Sequence, residues 1–222
     1  MQRSRGAALP LTVIVLFAAD VPAAAPDAAA ITNHGDERGA APCTSCHGGD
    51  GGGQTASGFP RLAGLDASYL YKQLNDFASG ARDNAVMQPI AKALSEDERK
   101  ALADYYSQMP VPAAAAKPQG PMPAHDSRSA ALAIRGLWTQ QLPGCVQCHG
   151  PQGLGVGEHF PPLAGQPAVY IANQLRAWKQ GARRNDPLRL MQHVAKTLGD
   201  SDIQAVAKWF AAQPLEATGD TP

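Results

Sequence analysis

Apolar residues recur along the chain at helical spacing. Leu70, Leu74 and Phe77 fall at i, i+4 and i+7 with polar residues between them, and Ile171, Leu175 and Trp178 repeat the spacing a hundred residues later. Each set predicts a helix with one buried face. A second pair of helices is predicted near the end of each half, carrying Leu102, Tyr105 and Tyr106 in one and Val206, Trp209 and Phe210 in the other. Ser95 with Glu98, and Ser201 with Gln204, have the spacing of capping boxes that would open these last helices, and Pro110 and Pro214 close them. No alternating run is long enough to predict a strand of useful length. The pattern predicts an all-α protein with long glycine-rich loops between the helices.

The recurrence is an internal duplication. CTSCHGGDGGG at 43 answers to CVQCHGPQGLG at 145, and FPRLAG at 59 to FPPLAG at 160. YLYKQLNDFASGAR at 69 answers to YIANQLRAWKQGAR at 170. Residues 111–126 are rich in proline and alanine and read as a linker without a core face. The domains are therefore expected at 31–110 and 127–215. Units of this size are marginal on side chains alone and usually need a staple. Residues 1–25 carry Arg3 and Arg5, then an apolar run, then small residues, which is the pattern of an export signal. An uncleaved anchor is the less favoured reading, because the run falls short of the ~20 apolar residues of a comfortable span.

Composition adds two points. The formal net charge is zero, from 19 basic and 19 acidic residues, which excludes a nucleic-acid-binding footprint. Aromatic residues make up only 6%, beside 22 Gly and 19 Pro, so a large apolar cofactor would thicken an otherwise thin core.

All four cysteines lie in two C-x-x-C-H motifs, the attachment pattern of c-type haem. Two intervening residues place both thiols along one edge of a macrocycle, and the adjacent histidine turns to the iron. Cys43 and Cys46 are assigned to one haem with His47 as iron ligand, and Cys145 and Cys148 to the other with His149. Zinc held by pooled cysteines and a redox dithiol are the alternatives, and the complete repeat ranks haem ahead of both. Met87 and Met191, alone among the methionines, occupy equivalent places, which marks them as the sixth ligands rather than core fillers. His193 is the rival in the second half, and symmetry disfavours it. His34, His125 and His159 have no equivalents and read as surface residues. With both axial positions filled by imidazole and thioether, the iron suits electron transfer rather than substrate chemistry. The carbonyl of Pro60, and that of Pro161 or Pro162, could accept the proximal histidine N–H. Arg61, Arg82 and Arg183 are weighted equally as partners of haem propionates and as solvated residues. Tyr105, Tyr106, Trp209 and Phe210 read as packing anchors.

Together the C-x-x-C-H-G motifs, FPRLAG and FPPLAG, the Q-L…G-A-R…M run and the final helices resemble the dihaem cytochrome c4 family. Gln166 departs from the repeat, standing where the first copy has Leu65. The resemblance implies two tandem class I cytochrome c domains with two covalently bound haem c groups, each iron held by His and Met. It implies a periplasmic carrier, soluble or loosely associated with the membrane surface, taking electrons from a cytochrome bc complex towards a terminal oxidase. A haem c subunit serving a periplasmic dehydrogenase is the alternative. A dihaem enzyme such as a peroxidase or thiosulfate dehydrogenase is the least favoured, since it needs an open iron. The zero charge hides a dipole: residues 26–111 hold 7 basic and 11 acidic residues, residues 112–222 hold 10 and 7. Such halves are expected to orient on different redox partners.

Overall fold

The computed structural model describes residues 25–125 and 127–215. The proposed export segment lies outside the described residues apart from Ala25, as does Asp126 at the end of the linker. The first half opens with α1 (Ala28–His34), capped by the Asp27 carboxylate, which accepts from Ala30 N–H at 2.9 Å. A single turn, α2 (Thr44–His47), carries the first C-x-x-C-H motif. The helix predicted around Leu70 is α3 (Ala67–Ser79), capped by Asp66 and ended by Gly80 at φ 81°, a left-handed position that a side chain would strain. Then come α4 (Met87–Ala93) and α5 (Glu96–Gln108), the latter opened by the expected Ser95–Glu98 capping box. In the second half α7 (Arg128–Ile134), α8 (Val146–His149), α9 (Ala168–Gln180), α10 (Leu190–Thr197) and α11 (Asp200–Ala211) repeat that order. The intervening α6 (Ala113–Ala116) belongs to the linker.

The fold is all-α. The regular strands among the described residues are β1 (Gly136–Leu137) and β2 (Leu142–Pro143), a two-residue antiparallel pair before the second cysteine motif. In each half the long middle helix packs on the two that follow it. The first helix lies across the last: α1 on α5, and α7 on α11.

Two expectations need correction. No capping box forms from Ser201 and Gln204. The N-cap of α11 is Gly199, with extended backbone and no side-chain cap, so Ser201 already lies within the first turn. Gly199 stands where the first half has Ser95, and Asp202 where it has Glu98. Asp202 grips Arg128 instead, at 2.5 Å from Nε and 2.7 Å from Nη2, tying α11 to α7. The linker, too, has a core face: Ala115 is buried, Gln119 N–H donates to Ala211 O at 2.9 Å and Leu215 N–H to Ala116 O at 3.3 Å. Ala115 is small enough to fit under the end of the second half, which composition alone could not show.

The halves join directly. Asp83 N–H donates to Ala182 O and Arg184 N–H to Ala81 O, both at 2.8 Å, making an antiparallel bridge between Arg82 and Arg183. Gln166 explains its departure from the repeat. Its amide accepts from Arg61 N–H at 3.0 Å and donates to Arg61 O at 2.9 Å, clamping the first half's backbone as a strand would. The leucine of the first copy could satisfy neither group.

Candidate haem sites

Each C-x-x-C-H motif sits on one helical turn, so the histidine comes back over the first cysteine, His47 N–H donating to Cys43 O and His149 N–H to Cys145 O, both at 2.9 Å. His47 and His149 are 6% and 7% exposed. The chain then loops back: Gly53 N–H donates to His47 O and Gly155 N–H to His149 O. Isolated bridges at Gln54–Phe59 and Val156–Phe160 deliver the next prolines to the imidazoles. His47 Nδ1 lies 2.9 Å from Pro60 O, and His149 Nδ1 lies 2.8 Å from Pro161 O. A carbonyl only accepts, so each Nδ1 carries the hydrogen and each Nε2 keeps its lone pair. The choice between Pro161 and Pro162 falls to Pro161. Burial holds both imidazoles below the usual histidine range, against the pull of the proline carbonyl, and nearby Arg82 or Arg183 adds to the depression. Neutral imidazoles with a fixed tautomer are what an iron ligand requires.

In the second half these groups face a cavity of about 480 Å³, within the roughly 300–1,000 Å³ usual for cofactor pockets. Cys145, Cys148, His149 and Met191 all line it, with a largely apolar wall from α9, α10 and α11. Met191 therefore meets the site, whereas His193 is exposed and has its Nε2 3.2 Å from Gln141 O. Met87 is the first residue of α4 and Met191 the second of α10; Met87 is half-buried, with its N–H held by Asn84 Oδ1 at 2.8 Å. His34, His125 and His159 are exposed. Tyr106, Trp209 and Phe210 are buried packing residues, while Tyr105 stacks edge-on against Tyr106.

All four thiols are free. Burial raises the Cys43 thiol above its usual range and pushes Cys145 up to about 11. A redox dithiol works through a thiol of lowered pKa, so these environments oppose that alternative. Among the described residues no three His, Cys, Asp or Glu side chains converge as a metal-binding set, which opposes pooled zinc.

The surprise lies between the halves. Arg61, Arg82 and Arg183 are 1%, 6% and 4% exposed, so the solvated reading is wrong for all three. Arg82 donates to Gln73 of its own half and to Gln174 and the Tyr170 hydroxyl of the other, at 2.7–3.0 Å. Arg183 mirrors it, donating to Gln174 at 3.1 Å and to Gln73 at 3.0 Å. Each guanidinium also covers a ring, Phe77 at 4.4 Å and Trp178 at 3.8 Å. Every acceptor named here is neutral. Burial, and then the charge of Arg82, lowers the pKa of Arg183. Burial alone brings Arg61 to about 10, and its Nε has no partner. Two buried like charges without an acid between them call for an anion. Arg183 lines the cavity, so the propionates of a haem there would supply it. Free thiols, neutral imidazoles, an apolar cavity and uncompensated guanidinium groups all fit haem c. Sequence reading missed Gln73, Gln174 and Asn185, whose amide oxygen accepts from Arg183 Nε and whose nitrogen donates to Gln73, both at 3.0 Å. The recurrence of one glutamine at the same place in two otherwise apolar helix faces was the available signal.

Among the described residues no helix is long and apolar enough to cross a membrane. The family model for cytochrome c matches the chain twice, over residues 35–110 and 136–212. A thiosulfate dehydrogenase electron acceptor from Stutzerimonas stutzeri (strain A1501) is 49% identical over 95% of this chain and 97% of its own length. Thiosulfate dehydrogenase (TsdBA) from Marichromatium purpuratum superimposes with a TM-score of 0.76 at 40% identity. That match covers 87% of this chain but 41% of the other, so this chain spans less than half of that longer one. The cytochrome c4 of Acidithiobacillus ferrooxidans matches with a TM-score of 0.66 at 33% identity, over 77% of this chain and 98% of that one.

Proposed function

Because this chain belongs to the cytochrome c family, as two tandem domains of the cytochrome c4 kind carrying two covalent haem c groups, we propose that it accepts electrons from a thiosulfate dehydrogenase and passes them on. It is an electron carrier and not itself the enzyme. The observation that supports this partner is the 49% identity, over nearly the full length of both chains, to a protein named for that role. Of the expectations drawn from sequence, the alternative of a haem partner to a dehydrogenase fits this better than a shuttle between respiratory complexes. The proposed setting is the periplasm, reached through the export signal of residues 1–25.

When bound, the haems supply one-electron chemistry at iron. The chain's own residues decide that nothing else happens there. Cys43, Cys46, Cys145 and Cys148 fix each group covalently. His47 and His149 would hold the iron through Nε2, with the rings fixed by the Pro60 and Pro161 carbonyls. Met87 and Met191 would hold the iron through their thioethers, and with imidazole and thioether both bound the iron would serve electron transfer rather than substrate binding. Arg183, which lines the second half's cavity, and Arg82 beside it would offset propionate charge at the junction of the halves, where that cavity is edged by Leu65, Tyr69 and Gln73 of the first half.

The experiment mixes the purified dihaem protein with thiosulfate and catalytic thiosulfate dehydrogenase and follows the haem absorbance. Rapid reduction of both haems is expected. Reduction by a cytochrome bc complex, with none by the dehydrogenase, would overturn this partner and restore the respiratory shuttle.

A further inference from the structure

The clamp between the halves reaches the first histidine. His47 Nδ1–H donates to Pro60 O at 2.9 Å, and the N–H of that same peptide unit, which belongs to Arg61, donates to Gln166 Oε1 at 3.0 Å. Arg61 O in turn accepts from Gln166 Nε2 at 2.9 Å, so the backbone fixes which end of the amide faces the Arg61 N–H. Arg61 and Gln166 are both buried. A side chain of the second half therefore stands one peptide away from the proposed iron ligand of the first. The second half has no counterpart. His149 Nδ1 lies 2.8 Å from Pro161 O, but the nitrogen of that peptide belongs to Pro162, which has no N–H. Leu65, the equivalent of Gln166, could accept nothing.

A peptide unit is conjugated from its N–H to its carbonyl oxygen. An acceptor on the N–H favours the form with negative charge on that oxygen, and the oxygen then accepts more strongly. Chained hydrogen bonds in a dry site strengthen one another in this way. A stronger bond at Nδ1–H moves negative charge onto the imidazole and makes Nε2 a more basic donor, which favours ferric over ferrous iron. Resting on the two-haem assignment and not on the identity of the partner, we propose that Gln166 of the second half is a positioning residue for His47 of the first. Through the Pro60–Arg61 peptide it lowers the reduction potential of the first haem and leaves the second alone. Opening the junction would raise that one potential.

The test is a redox titration of the haem-loaded protein, each haem followed by its own proton resonances, with the His47 and His149 Nδ1–H signals read in the reduced state. Gln166→Met keeps the length of the side chain and removes the acceptor. Gln166→Leu serves if that variant does not fold. Gln166→Glu keeps an oxygen for the Arg61 N–H whether or not it is ionised. Gln166→Met is expected to raise the first midpoint, changing that haem's oxidised-to-reduced ratio at fixed potential by roughly two- to fivefold, part of one net hydrogen bond. The His47 Nδ1–H signal should move upfield as its bond weakens, while the second midpoint and the His149 signal stay. Gln166→Glu should hold the first midpoint at or below its original value. An unchanged or lowered first midpoint in folded Gln166→Met or Gln166→Leu, equal shifts of both haems, or the same rise in Gln166→Glu would overturn the proposal. Intact mass confirming two haems separates that failure from loss of the haem assignment.

Discussion

The halves share one plan but stand by different means. The first is stapled at its helix starts: Asp27, Asp66 and Ser95 all cap with side chains, and Ser95 completes a capping box with Glu98. Its core is two separate clusters, one around Ile31, Leu94 and Leu102, the other around Leu65, Leu70 and Tyr106. The second half leaves α9 and α11 without side-chain caps, at Pro167 and Gly199. In return its buried residues form one continuous core from Leu132 through Ile171, Val194 and Ile203 to Phe210. Duplicated modules can diverge in what stabilises them, provided the groups around the cofactor hold their places.

The largest effect expected from breaking this comparison comes from the cofactor staple. Cys43→Ala/Cys46→Ala and Cys145→Ala/Cys148→Ala should each cost one haem by intact mass. The first should lose more helix by circular dichroism, because without its macrocycle that half has no single core to fall back on. Next comes the clamp between the halves. Gln166→Leu restores the residue type of the repeat but strands the Arg61 N–H and C=O, and should cost about 1–3 kcal/mol in denaturant unfolding. Its failure to destabilise would mean that the halves do not depend on this contact.

Acid should weaken both halves through one equivalent position. Hydrogen bonding to Arg128 holds Asp202 below the usual carboxylate range, against partial burial. Glu98 is also lowered: partial burial opposes this, and the Ser95 backbone and hydroxyl together with Arg38 outweigh it. A carboxylate with a depressed folded-state pKa contributes stability that is full above its unfolded value and is lost as pH falls through the folded one. Asp202→Asn should therefore flatten the acid limb of the unfolding profile measured by thermal melts. The smallest effects lie at the caps themselves. Ser95→Ala should cost about 1 kcal/mol, and Gly199→Ser should gain only a few tenths, since glycine is already a tolerable N-cap.

Much of the site was legible because its chemistry is local. Cys43, Cys46 and His47 fit on one turn, so five residues suffice to mark a haem attachment motif and a proposed ligand beside it. The helices around Leu70 and Ile171 were legible because one apolar face needs only its own period. The α11 cap was misread because Ser201 and Gln204 have the right spacing in the wrong register, and register is set by where α11 docks on α7.

The sequence by itself determined the duplication, the all-α character, the two haem motifs and the equivalence of Met87 and Met191. Only the tertiary structure decided the roles of Arg61, Arg82, Arg183 and Gln166. The reason is physical. A helix period or a C-x-x-C-H turn is written in neighbouring residues, whereas burial of a charge or a hydroxyl depends on which distant segment covers it. Gln73 and Arg183 meet only when both halves have folded and closed on each other.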